Sequence, residues 1–223
     1  TNGTGGLRAG RFATATDAEM RTIRIDEEQR AAELGEYSAA VLLDYTSEKP
    51  KDPTANEVTA DLAALVQATE PDVVYTHSLA DAHETHVAVA LRTIDALRSL
   101  PSETRPLRVY GCEVWRDLDW LIEPDKVVLS DDIGDDHLLE MLEMYESQLV
   151  AKRFDTATIG RRRAHATFGH SHRTDEYRSA TLAMDLTPLI HEPNLDPDDL
   201  VMDAIERLRG NVLERINRLR AVR

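Results

Sequence analysis

Eight histidines are spread unevenly along this chain, and three of them, His77, His83 and His86, lie within one segment, VVYTHSLADAHETHVAVAL. A neutral imidazole is a common zinc ligand. His83 and His86 are three positions apart, which puts them on one side of a helical turn. Asp81 and Glu84 stand close enough in sequence to orient imidazole N–H groups as carboxylate partners. One histidine can hold a metal while its neighbour donates to a developing oxyanion. The competing reading is a polar loop with capping histidines.

Other residues offer less specific chemistry. Glu113, Trp115 and Arg116, in EVWRDLDW, follow an apolar run and can line a sugar pocket; packing at a core rim is the alternative for Trp115 and Trp120. His170 and His172 form H-S-H, a spacing that faces one way on a strand, but beside Arg173 they read as exposed loop residues. Arg161 to Arg163 reads as a solvated helix end. Cys112 reads as a buried strand residue.

Elements must position these groups. Asp17 to Leu34 is helix-prone, with Gly35 suited to its C-terminal cap. Ala39 to Leu43 reads as a short buried strand, and Glu48 to Pro53 as a loop. Asn56 to Glu70 carries Val58, Leu62, Leu65 and Val66 at helical spacing, and Pro71 stops it. Asp72 to Thr76 is a strand by its β-branched and aromatic content, so the histidine segment follows a strand end, where ligands of open α/β sheets bind. Val87, Leu91, Ile94 and Leu97 mark the next helix. Leu107 to Trp115, Val127 to Leu129 and Tyr177 to Met184 are strand candidates. Leu138, Leu142, Tyr145 and Leu149 predict one long helix running on towards Arg162. Asp196, Pro197, Asp198 and Asp199 start a last helix, with arginines at its far end. Its apolar stripe can pack on the sheet or pair with another copy, so a homo-oligomer is one expectation. Such alternation predicts an α/β fold, a mostly parallel sheet with helices on both faces.

Composition narrows the class. The chain has 223 residues, 42% hydrophobic and 30% charged, enough for a sizeable core. It holds no apolar run near the roughly 18 residues of a membrane span, and no leader peptide is visible at its start. The net charge of −15 argues against nonspecific binding to nucleic acid or anionic membranes. A single cysteine excludes an intrachain disulfide and fits a cytoplasmic setting. TNGTGG, at residues 1–6, lacks the G-x-G-x-x-G spacing of a dinucleotide site.

The segment Pro71-Asp72-Val73-Val74 followed by Asp81-Ala82-His83-Glu84-Thr85-His86 resembles the LmbE-like, PIG-L-type N-acetylglucosaminyl deacetylases, whose pattern is P-D-v-V, then D-x-H-P-D-H. Thr1-Asn2-Gly3 is similar to that family's T-[DN]-G turn. Arg24 to Gly35 resembles its R-x-x-E helix, one residue shorter, and Tyr145-Glu146-Ser147-Gln148 and Glu176-Tyr177 fall in the same order as its later motifs. The resemblance spans most of residues 1–185. It implies a Rossmann-like fold and a zinc hydrolase domain over 1–190, with a C-terminal helical extension over 191–223. The implied reaction removes an acyl group from an N-acetylated amino sugar or related conjugate, a small-molecule partner.

By position, the resemblance makes His86 a zinc ligand and His83 the oxyanion partner, with Asp81 and Glu84 as orienting neighbours. Arg24 takes the place of a substrate-binding arginine; a solvated helix arginine is the other reading. Thr85 stands where the family has aspartate, which removes a carboxylate beside His83. The family's H-P-D-D motif, which carries two ligands and the general base, does not occur in these residues. Loss of roughly 40 residues before Thr1, one strand–helix–strand unit, is the expectation. A non-catalytic sugar-binding relative is the alternative.

Overall fold

Thr16 begins the first helix, α1 (Asp17–Leu34), with a reciprocal capping box: its side chain accepts from Glu19 N–H while the Glu19 carboxylate accepts from Thr16 N–H. Gly35 caps the far end, as its sequence position predicts. The computed structural model describes residues 1–170 and 172–220. They form two compact units, one of Thr1–Asp52, Ser130–Phe168 and Thr174–Ala180, the other of Pro53–Leu129, Gly169–Arg173 and Thr181–Arg223.

In the first unit, α1 is followed by a short helix, α2 (Glu48–Lys51), where the sequence predicts a loop; a Lys51–Glu48 ion pair at 2.8 Å spans its turn. Residues 39–43 form no strand. Val41 and Leu42 are 56% and 43% exposed, and no described strand pairs with the run. Unpaired backbone does not make a ladder, and Asp44, with φ 61°, turns the chain out of extended geometry.

In the second unit, α3 (Asn56–Thr69) ends at Glu70 in the left-handed region. Strand β1 (Val73–His77), helix α4 (Glu84–Ser99) and strand β2 (Arg108–Cys112) follow, then strand β3 (Val127–Asp131), whose last two residues belong to the first unit. The long helix expected after Leu138 is three in the first unit, α5 (Asp135–Glu143), α6 (Glu146–Leu149) and α7 (Phe154–Phe168). The break has a visible cause. Ser147 N–H donates to the buried Glu27 carboxylate at 2.6 Å, and Ser147 Oγ–H donates to its other oxygen at 2.8 Å. A backbone N–H given to a side chain is withdrawn from the helical ladder.

Strand β4 (Ser179–Asp185), a short helix α8 (Thr187–His191) and α9 (Pro197–Arg220) complete the chain. The last three residues of the predicted extension lie outside the described residues. The sheet runs β1-β2-β4-β3. Its α/β character is as the sequence predicts, but the pairing is mixed: β1 and β2 are parallel, from Val73 opposite Arg108 to His77 opposite Cys112, and β4 runs antiparallel to β2. The second unit's core joins Ile94 and Leu97 of α4, Val109 of β2, Leu182 of β4, Leu189 of α8 and Ala204 of α9. No described helix is long and apolar enough to cross a membrane.

Candidate metal centre

The site lies in the second unit, where β1 gives way to the turn before α4. Gly111 on β2 makes room for that turn. A Cβ there would stand 3.1 Å from Ser78 Cα and 3.2 Å from the His77 carbonyl oxygen. Ser78 N–H then reaches the Cys112 carbonyl at 2.8 Å, and Ser78 Oγ accepts from Ala80 N–H at 3.1 Å. Glu113 holds the turn from the other side: its Oε1 accepts from Ala82 N–H at 3.1 Å and from Arg116 N–H at 2.9 Å.

Asp81 is the hub. Its Oδ1 accepts from His83 N–H at 2.8 Å, which sets His83 at the N-cap of α4. Its Oδ2 lies 2.9 Å from His86 Nδ1. With the proton on Nδ1, the imidazole donates to the carboxylate and Nε2 keeps a free lone pair. His77, at the end of β1, stacks on His86 with ring centroids 3.9 Å apart and planes 6° from parallel. His83 stacks on the other side at 4.5 Å. Trp115 follows at 6.4 Å from His83.

Ligand atoms of His77, Asp81 and His86 all lie within 4.8 Å of one another. Imidazole and carboxylate are the donor types zinc takes, at about 2.0–2.2 Å. Lone pairs lie in the ring plane, however, and the parallel stack keeps those of His77 and His86 in separate planes. As arranged, a single ion takes one imidazole of the stack. These residues therefore fit the role of one imidazole ligand with an orienting carboxylate, and not a complete tetrahedral set.

Burial, followed by the neighbouring His86 ring, lowers the His77 pKa to about 4, so His77 is neutral at ordinary pH. Burial likewise raises the Glu113 pKa, against two backbone hydrogen bonds that lower it. Glu113 Oε2 is buried without a hydrogen-bond partner among the described residues.

The structure thus brings Asp81, His83, His86, Glu113 and Trp115 into one region. Glu84 opens the first turn of α4 and is exposed. Trp115 is 41% exposed. From sequence, His77 belongs to the histidine group but takes no role of its own. Its signal was available: it is the last residue of a parallel strand, at the carboxyl edge where ligands gather. His170, one half of H-S-H, lies 3.1 Å from Glu123 Oε1, and His172 is exposed.

Arg24 belongs to the first unit. Its side chain packs against the opening turn, where Gly3 has φ 72° and a Cβ would stand 2.6 Å from Arg24 Cγ. Its Nε is buried, 3.9 Å from Glu27, without a hydrogen bond among the described residues. Burial lowers the Arg24 pKa, with Glu27 and Glu28 opposing.

An α/β fold with a histidine–aspartate cluster at a strand end defines a class of candidate metal-site proteins. Within it, the family model for PIG-L, described as GlcNAc-PI de-N-acetylase, matches residues 1–97. The likeness to that family is therefore shown over the span that includes the opening turn, α1 and the histidine cluster. Among solved structures, the conserved protein TT1542 from Thermus thermophilus shares the fold: TM-score 0.60, 17% identity, 78% of each chain covered. Among curated proteins, none matches the chain.

Proposed function

We propose that this chain carries part of the active site of a zinc-dependent hydrolase that removes the acyl group from an N-acetylated amino sugar or related conjugate. The observation that supports it most is the Asp81–His86 pair at the carboxyl end of β1, inside the span that matches the PIG-L family. His86 Nε2 would hold the metal, and Asp81 would fix the tautomer and orientation of that ring. When bound, zinc supplies Lewis-acid polarisation of the acyl carbonyl and acidifies water. His83 is exposed beside His86 and can donate a hydrogen bond to the carbonyl oxygen as it gains negative charge. Trp115 offers an aromatic face to the sugar. Arg24 is proposed to bind the conjugate, as the resemblance implies. Glu113 acts first as the clamp of the turn, and its free Oε2 is the group proposed to meet a sugar hydroxyl.

The test is release of a primary amine from N-acetylglucosamine conjugates by the purified protein, with zinc added and with zinc removed by chelation. Amine release that depends on zinc, and falls about 100-fold or more in His83→Ala, is the expected result. Zinc or sugar binding without amine release returns the non-catalytic sugar-binding reading.

A further inference from the structure

Helix α9 (Pro197–Arg220) leaves the body of its own unit halfway along. Leu200, Val201 and Ala204 pack on the second unit's core, and Arg207 pairs with Asp125 at 2.9 Å. From 209 to 220 every residue is exposed. A free helical end of that length is marginal in water, and Gly210 within it lowers its propensity further.

The exposed face is not random. Met202, Ile205, Val212, Ile216 and Leu219, with Arg209 among them, alternate at spacings of three and four, the pattern of a coiled-coil seam. Met202 is 52% exposed and Leu219 70%. Charge is sorted along the same helix. Asp198, Asp199, Asp203 and Glu206 outnumber Arg207 in its first half, and Arg209, Arg215, Arg218 and Arg220 outnumber Glu214 in its second.

We propose that α9 pairs antiparallel with α9 of a second copy of this chain. The charge pattern selects both occupant and direction. In a parallel pair, acidic half meets acidic half and basic half meets basic half. In an antiparallel pair the halves are complementary. The seam is also nearly symmetric about its centre when reversed: Met202 meets Leu219 of the second copy, Ile205 meets Ile216, and Arg209 meets Val212. Glu206 then falls at the level of Arg215 of the second copy. A polar residue at one seam position, here Arg209, sets register at some cost in stability.

Sedimentation analysis over a micromolar-to-millimolar concentration series tests the pairing. The expected result is a monomer–dimer equilibrium that Val212→Glu with Ile216→Glu shifts at least tenfold towards monomer. Both positions are exposed, and an unchanged circular dichroism melt of the rest of the chain checks the fold. Gly210→Ala, off the seam and with open space around it, is expected to strengthen the dimer. Direction is read by oxidative cross-linking. A Met202→Cys chain mixed with a Leu219→Cys chain is expected to cross-link, and neither variant alone with itself. A monomer at every concentration overturns the proposal, whether or not α9 then binds vesicles or another protein. Self-cross-linking of Met202→Cys overturns the direction and with it the charge argument.

Discussion

Asp81 and Glu113 show how two carboxylates at one site divide the labour. Asp81 is a fully buried side chain that spends one oxygen on His83 N–H and the other on His86. In the proposed metal role, Asp81→Asn removes the charge that would make His86 a better ligand while keeping the size of the group, and partners of this kind are worth about 10–100-fold in metal affinity. Zinc titration by calorimetry, with His86→Ala as the reference for full loss, is expected to show that drop; unchanged affinity would take Asp81 out of the metal role. Glu113 is expected to behave differently. Glu113→Ala frees two backbone N–H groups and should cost about 1–3 kcal/mol in denaturant unfolding. Glu113→Gln keeps an acceptor for them and removes a charge that burial disfavours, so its stability should stay close to the parent at neutral pH. The cluster itself was legible in sequence because three imidazoles and an aspartate follow a strand within ten residues, although a polar loop with capping histidines read equally well. The division of roles was not, because it depends on which oxygen meets which N–H across 31 residues between Ala82 and Glu113.

At the scale of elements, capping chemistry was readable and long-range hydrogen bonding was not. Thr16 with Glu19, and Gly35 beyond Leu34, bound α1 through contacts of three or four residues. The break at Tyr145–Ser147 is made by Glu27, 120 residues away in sequence, so apolar periodicity alone reads through it. The expected strand at 39–43 failed for a related reason: apolar content does not create a pairing partner. Tyr145, at that break, has its pKa raised to about 12 by burial, with Glu28 adding to the effect. The unfolded chain ionises this phenol near its ordinary value of about 10, so stability falls as pH rises above 10 towards 12. In a spectrophotometric titration, one of the six tyrosines should ionise late, and Tyr145→Phe should remove that last step. Gly111→Ala tests the packing of the site turn. The added Cβ meets Leu186 Cδ1 at 2.9 Å and, just beyond, Ser78 Cα and the His77 carbonyl, backbone that cannot swing away, so a loss of about 1–3 kcal/mol is expected. A loss of zinc affinity alongside it would tie the turn to the site.

The whole molecule carries a field as well as a site. A net charge of −15 repels anions at long range, whereas the proposed contact of the imidazoles and Trp115 with a sugar needs no charge. Arg24 is paired with Glu27, and Arg116 gives a guanidinium N–H to the Ala80 carbonyl at 3.2 Å. Neither is left free to cancel the overall field. If that field governs encounter, kcat/KM for an anionic conjugate should rise as salt is added, because screening shortens the reach of the repulsion to roughly 10 Å at 0.1 M. A neutral N-acetylglucosamine conjugate should show a flat profile over the same range. Parallel measurement of the two substrates against ionic strength separates the alternatives by sign. A fall for the anionic conjugate would mean that a local basic pocket outweighs the global charge, and Arg24→Gln should then flatten that fall if Arg24 forms the pocket.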